Sequence, residues 1–247
     1  MKKVIVIPAR LDSSRLPKKV LLDLKDKTVI QRVYEQCLQV KNIDEVYIAT
    51  DSKEIKEVCE SFTSNIIITK STHQSGTDRI GEAVSQIECD VVINVQGDEP
   101  FIDPKLIEEL ANSLENKEIP MASAMSRIKD CKDLQNSNIV KVTVDTSSNA
   151  LYFSRSLIPF PRDHKELLTS NIALEKYKFY RHIGIYGYQK KFLLQYIQME
   201  QSYLEKVEKL EQLRVLENGY TIKMIETNSS LIGIDTLEDY NEALKKF

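Results

Sequence analysis

Two glycine-rich signatures of nucleotide-binding proteins are missing from this chain of 247 residues: it has no GxxxxGK[ST] loop and no GxGxxG turn. Their absence argues against P-loop NTPases and nicotinamide-dependent dehydrogenases, whose loops need glycine to close on phosphate. Cysteine is sparse and scattered, at Cys37, Cys59, Cys89 and Cys131, and never approaches a CxxC spacing. That excludes a zinc ribbon or a disulfide framework and leaves free thiols in a reducing compartment as the expectation. Neither sign of charge dominates: 34 basic against 37 acidic residues give a net charge of -3. No electrostatic footprint for nucleic acid or an anionic membrane results, so any anionic ligand must be met by a local cluster. The apolar run between Lys3 and Arg10 is too short for a signal peptide or a spanning helix. Internal repeats and low-complexity tracts are also lacking. The expectation is a cytoplasmic protein with no membrane or nucleic-acid partner.

What is present is an alternation of β-rich runs and helical patterns. Strands are predicted at Val4–Ile7, Val46–Ala49, Ile66–Thr69 and Val91–Val95, with helices at Val29–Val40, Lys53–Phe62, Asp78–Gln86 and Lys105–Glu115. This is the pattern of a mostly parallel α/β sheet flanked by helices. Closely spaced strand-like runs at Met121–Met125, Ile139–Val144 and Ala150–Phe153 then predict a smaller mixed or antiparallel β excursion. Arg162–Lys178 reads as a long polar loop, His182–Tyr188 as a strand, and Lys190–Met199 and Tyr203–Glu217 as helices. A strand at Ile222–Ile225 and a helix from after Asp235 to Leu244 close the chain. The length fits one domain, in which residues 1–120, about 121–200 and 201–247 are successive portions.

Polar residues gather where these strands end, and open α/β sheets bind ligands at that edge. After the first strand, Pro8 to Lys19 holds Arg10, Arg15, Lys18 and Lys19 with Ser13 and Ser14, the cations and donors a polyphosphate requires. After the fourth, Gln96-Gly97-Asp98-Glu99-Pro100 surfaces a carboxylate suited to a hard divalent ion. His73-Gln74-Ser75-Gly76-Thr77-Asp78-Arg79 precedes a helix, with Thr77 or Asp78 expected as its N-cap; His73 lacks any partner at metal-ligand spacing. Asp235, ahead of Thr236-Leu237-Glu238-Asp239, reads by itself as a helix cap. Paired with Asp98, it can hold Mg²⁺ while leaving coordination sites for phosphate oxygens.

These motifs in this order resemble a known family. Pro8-Ala9-Arg10, Ser14-Arg15-Leu16-Pro17, Ala49-Thr50-Asp51, His73 to Arg79, Asn94 to Pro100, Ala150 to Arg155, His182 to Tyr188, Glu211 to Arg214 and Gly233 to Thr236 are similar to the 3-deoxy-manno-octulosonate (Kdo) cytidylyltransferases, the CMP-Kdo synthetases. The resemblance implies Mg²⁺-dependent transfer of CMP from CTP to Kdo, releasing pyrophosphate, for lipopolysaccharide biosynthesis, in a homodimer. It implies that Arg10, Arg15 and Lys19 grip the triphosphate and that Ala9, Ser75 and Gln96 lie at cytosine and ribose. Asp98 and Asp235 would bind the metal. Arg155, Gln96, His182, Tyr186, Glu211 and Gln212 would form the sugar pocket.

Two departures stand out. The family usually has Gly-Lys-Pro after Leu-Pro, where this chain has Lys18-Lys19-Val20, so Lys18 competes with Lys19 as the phosphate contact. A second Gly-Lys-Pro is replaced by Asp26-Lys27-Thr28. The competing readings are the same chemistry on 8-amino-Kdo or a sialic acid, and a nucleotide-binding module without turnover. Glu99 with His73-Gln74 favours Kdo over the amino sugar, and retention of Lys19, Asp98 and Asp235 favours an enzyme.

Overall fold

The structure, a computed structural model, describes residues 1–11, 15–73, 75–163, 172–229 and 233–246. Its strands are β1 (Lys3–Ala9), β2 (Asp23–Leu24), β3 (Lys27–Thr28), β4 (Glu45–Thr50), β5 (Ile66–Ile68), β6 (Val91–Asn94), β7 (Met121–Arg127), β8 (Lys141–Val144), β9 (Ala150–Ser154), β10 (Tyr180–Gln189) and β11 (Ile222–Glu226). Its helices are α1 (Val29–Cys37), α2 (Lys53–Cys59), α3 (Gly76–Ser85), α4 (Pro104–Ser113), α5 (Cys131–Gln135), α6 (Ile172–Lys176), α7 (Lys190–Tyr196), α8 (Tyr203–Glu208), α9 (Leu213–Glu217) and α10 (Leu237–Leu244).

Strand β1 is buried along its whole length. Its alternating side chains explain why: Ile5, Ile7 and Ala9 join the core with α1, α2 and α4, whereas Val4 and Val6 join the core with α3, α7 and α9. A strand covered on both faces reads as one apolar run, which is how Val4–Ile7 and Val91–Ile93 stand out in the sequence. The main sheet runs β11-β7-β10-β6-β1-β4-β5. Pairings among β1, β4, β5 and β6 are parallel, as is β11 with β7. Strand β10 enters antiparallel between β6 and β7, and β8 and β9 form an antiparallel extension on it. The expected mostly parallel sheet with an antiparallel excursion is therefore the architecture observed.

Two local expectations need correction. Tyr203–Glu217 is not one helix: Lys209 takes φ 55 and ends α8, and α9 starts only at Leu213. The intervening turn buries Leu210 in the core and brings Glu211 and Gln212 to a cavity wall. The stretch Arg162–Lys178, read as a loop, contains helix α6, and its residues 164–171 lie outside the described residues.

Candidate active site at the carboxyl edge of the sheet

The carboxyl ends of β1 and β6 and the start of α3 enclose a cleft of about 300 Å³ lined by Ala9, Arg10, Arg15, Lys19, Ser75, Gln96, Asp98 and Asp235. Every residue assigned to nucleotide or metal in the sequence is in that wall, while Asp12, Ser13, Ser14 and Gln74 lie outside the described residues. Gly97 allows the two strand ends to close together: a Cβ there would sit 3.0 Å from the Pro8 carbonyl oxygen. Ser75, rather than Thr77 or Asp78, is the N-cap of α3. Its hydroxyl accepts from the Asp78 N–H at 3.1 Å, and the Asp78 carboxylate accepts from the Ser75 N–H at 3.2 Å. Ser75 and Gly76 both lie in the cleft wall, so the N-terminus of α3, an end that favours an anion, borders the cleft.

Asp98 and Asp235 meet on one cation. The Lys19 ammonium donates to Asp98 and, at 2.8 Å, to Asp235, whose other oxygen pairs with Arg15 at 2.9 Å. Burial works against the ammonium charge, but the two carboxylates outweigh it and hold the Lys19 pKa above its ordinary value. The Asp235 carboxylate is available because capping of α10 falls to Thr236, which forms a box with Asp239. A backbone bond from the Ile234 N–H to the Asp98 carbonyl, 2.9 Å, ties the two carboxylate segments together. Lys18 turns the other way, to Glu54 at 2.7 Å, so among the two lysines only Lys19 lines the cleft. Lys18 has φ 55, in the left-handed region where glycine carries no cost, which gives a physical reason for glycine at this place in the family pattern.

A second cavity, of about 670 Å³, opens beside the first and shares Asp235 with it. Glu99, Arg181 and His182 lie in its wall. A third, of about 340 Å³, shares Arg181 and His182 with the second and adds Tyr186, Glu211 and Gln212. Four of the expected sugar residues thus converge, with Gln96 in the adjoining cleft. Arg155 does not line any of these cavities. Its guanidinium donates to the carbonyls of Glu208 at 2.8 Å and Ser137 at 3.1 Å, so it is committed just behind the rim that Asn138 and Lys209 form. Burial raises the Glu211 pKa, partly offset by a hydrogen bond from Thr77 and by the charge of Arg214. Burial also lowers the His182 pKa to about 3, leaving a neutral imidazole at neutral pH.

Arg181 was not singled out in the sequence as a member of the site, and neither were Arg79 and Glu99. Arg79, 4% exposed, lies in the first wall and is held by Thr69 at 2.6 Å and Asp51 at 3.2 Å. Its signal was the polar end of the Ser-Gly-Thr-Asp-Arg run. Glu99 sits beside Asp98 with one carboxylate oxygen buried and unpartnered. Burial, then the charges of Asp98 and Asp235, push its pKa up to about 8, opposed by Lys19.

A family model described as cytidylyltransferase matches residues 4–225. The chain is 48% identical, over 98% of its length and 97% of the relative's, to a 3-deoxy-manno-octulosonate cytidylyltransferase from Francisella tularensis subsp. holarctica. The chain belongs to the 3-deoxy-manno-octulosonate cytidylyltransferase family. A second member, from Trichlorobacter lovleyi, is 42% identical over 100% of this chain and 98% of its own. Among solved structures, a CMP:2-keto-3-deoxy-manno-octonic acid synthetase complexed with CTP superposes with a TM-score of 0.92 at 39% identity, covering 100% of this chain and 98% of that one. The 4-diphosphocytidyl-2C-methyl-D-erythritol synthase of Anaerococcus prevotii, at 17% identity and TM-score 0.62 over 99% of this chain and 96% of that one, shares the fold. The cleft at β1 and β6 adjoins the cavities along β10 through the shared residues Asp235, Arg181 and His182.

Proposed function

We propose that this chain transfers CMP from CTP to Kdo, giving CMP-Kdo and pyrophosphate. The observation that carries the reading is the meeting of Asp98 and Asp235 on one cation, in a cleft that also holds Arg10 and Arg15 and opens through Asp235 onto a hydroxyl-binding cavity. Attack of the sugar's anomeric hydroxyl on the α-phosphorus brings two anions together, so charge neutralisation and alignment are the main tasks. Arg10, Arg15 and Lys19 offset the triphosphate charge, and Lys19 is placed to balance the departing pyrophosphate. Ser75 and Gln96 stand at the nucleoside end with Ala9. His182, Tyr186, Glu211 and Gln212 receive the sugar hydroxyls; Arg155, held behind the rim by the Glu208 and Ser137 carbonyls, leaves Arg181, in the wall of both cavities, as the cation for the sugar carboxylate.

The donor set fits a hard divalent ion: two carboxylates already share a cation, and both supply oxygen. Among the described residues no group of three or more His, Cys, Asp or Glu converges to hold a metal, and Asp98 and Asp235 would be the two protein carboxylates available to one. Mg²⁺ bound at Asp98 and Asp235 would supply Lewis-acid stabilisation of charge on the phosphate oxygens. No cysteine is needed as a nucleophile, and burial raises the Cys37 and Cys59 thiol pKa values. On this reading the protein activates Kdo for lipopolysaccharide, in the cytoplasm and as a homodimer. No helix among the described residues is long and apolar enough to cross a membrane. Residues 1–120 serve the nucleotide, about 121–200 the sugar and the dimer, and 201–247 close the site with Asp235.

The test is pyrophosphate release with CTP and Mg²⁺ against Kdo, 8-amino-Kdo and sialic acid in parallel. Turnover is expected with Kdo foremost, and preference for either other sugar would overturn the assignment.

A further inference from the structure

The hydroxyl of Ser123 lies fully buried in β7, opposite the point where β10 shifts register between Ile183 and Tyr186. That irregularity interrupts the ladder, and the Ser123 oxygen stands 2.9 Å from the Ile185 carbonyl and 3.3 Å from that of Ile183. Both partners are acceptors only, so the single hydroxyl proton is spent there, chiefly on Ile185. The same oxygen is 2.8 Å from His182 Nε2. With its proton spent, Ser123 receives a hydrogen bond at that contact, and Nε2 must carry hydrogen.

Burial keeps the imidazole neutral, so a hydrogen at Nε2 leaves a lone pair at Nδ1. Gln212 Nε2 lies 3.5 Å from that lone pair, and Gln212 Oε1 lies 3.4 Å from the Tyr186 hydroxyl. Each contact requires the next: a donor at Nδ1 fixes the Gln212 amide with its oxygen toward Tyr186, which then donates. Phe153 packs edge-on against the imidazole with centroids 4.9 Å apart and blocks rotation into another arrangement.

We infer that Ser123 is a positioning residue for the acceptor sugar, fixing His182 as the Nε2–H tautomer and thereby orienting the Gln212 amide and the Tyr186 hydroxyl. This rests on the reading of the His182, Tyr186 and Gln212 cavity as the sugar site. The chain runs in one direction, from Tyr186 through Gln212 and His182 to Ser123 and the Ile185 carbonyl. It leaves one Gln212 N–H and the lone pairs of the Tyr186 oxygen for sugar hydroxyls, which both donate and accept. The reversed tautomer would set two donors face to face at Nδ1 and release the amide.

Long-range ¹H–¹⁵N NMR of the full chain labelled at histidine tests this directly, because only His73, His164 and His182 contribute signals. His182 is expected to give the Nε2–H pattern, unchanged from pH 8 to pH 5. Ser123→Ala should lose that single pattern and raise the KM for Kdo about tenfold while leaving the KM for CTP within about twofold, and Ser123→Thr, which keeps the hydroxyl, should restore both readouts. A wild-type protein with the Nδ1–H or an averaged pattern would overturn the assignment, as would a folded Ser123→Ala variant with unchanged NMR and KM. Absence of turnover with Kdo in the wild type would sink the sugar-site reading instead, while the tautomer pattern still decides the role of Ser123. Should Ser123→Ala fail to fold, the wild-type pattern and its retention in Ser123→Thr carry the decision.

Discussion

The cleft at β1 and β6 and the cavities along β10 handle polarity by different physics. The first gathers formal charge: Arg10, Arg15, Lys19, Asp98 and Asp235 face one space of about 300 Å³. Along β10, charged Arg181 and Glu211 share the wall with a chain of neutral groups, Tyr186, Gln212, His182 and Ser123, whose imidazole is held uncharged by burial. Charge suits the part that meets a polyphosphate and must offset it as the leaving group departs. Directed hydrogen bonds suit the part that must tell one polyhydroxylated sugar from another, because an unmatched buried donor or acceptor is costly. The two parts join at Asp235, which belongs to both walls.

The largest expected effects fall on the charged side. Asp98→Asn and Asp235→Asn each keep shape but remove charge where a divalent ion would bind. Each should lower Mg²⁺-dependent kcat by about a thousandfold or more without altering the circular dichroism spectrum. Full activity in either variant would break the contrast, because a neutral amide would then serve as well as a carboxylate. Next comes Lys19→Met, which leaves two carboxylates facing each other without their shared ammonium. Thermal stability in EDTA should fall by about 1–3 kcal/mol and recover on adding Mg²⁺ by more than the wild type gains, since like charges left together destabilise until a cation binds. Equal Mg²⁺ responses in the two proteins would remove the shared cation site from the argument.

The neutral side should respond more weakly and more selectively. Gln212→Ala removes the central link, and its effect should appear as a KM for Kdo raised about tenfold with the KM for CTP unchanged. A rise in the CTP value instead would merge the two regions into one. His182 adds a dependence on pH. Its folded pKa, about 3, lies below the ordinary 6.5, so between those values the unfolded chain binds the extra proton. Its stabilising contribution is complete above pH 6.5 and declines as the pH falls toward 3. The slope contributed is at most about 1.4 kcal/mol per pH unit. Urea titrations of wild type and His182→Gln across pH 4 to 7 measure it as the difference between the two curves.

The charged region was the more legible in sequence, and the reason is local. Asp98 sits just past an apolar run and Lys19 in the basic loop that follows another, so position after a buried strand announces them, and Asp235 became informative once Asp98 was its partner. The neutral region depends on contacts between segments far apart in the chain. Ser123 is one hydroxyl within Met-Ala-Ser-Ala-Met and looks like any small strand residue until β10 shifts register beside it. The end of α8 was also silent, because Lys209 takes the left-handed conformation without being the glycine or asparagine that would mark it. Arg155 was legible as a cation near the sugar, but not its commitment to the Glu208 and Ser137 carbonyls, which only tertiary structure supplies.

The smallest expected effect concerns the edge of the charged region, at Lys18. Its left-handed backbone costs a side-chain-bearing residue about 1 kcal/mol, which glycine would remove. Glycine would in turn increase the entropy lost on folding by about 0.5–1 kcal/mol and would give up the pair with Glu54, an exposed contact of at most about 1 kcal/mol. These terms largely offset one another, so Lys18→Gly should change stability by no more than about 1 kcal/mol. Its kcat should stay within about twofold, because Lys18 does not reach the cleft and Lys19 keeps both carboxylate contacts. Glu54→Ala in the wild-type and Lys18→Gly backgrounds separates the backbone term from the ion pair. If Lys18→Gly instead lowered kcat tenfold, the Glu54 contact would be holding the phosphate loop in its working shape, and the charged region would depend on a tertiary clasp as much as the neutral one does.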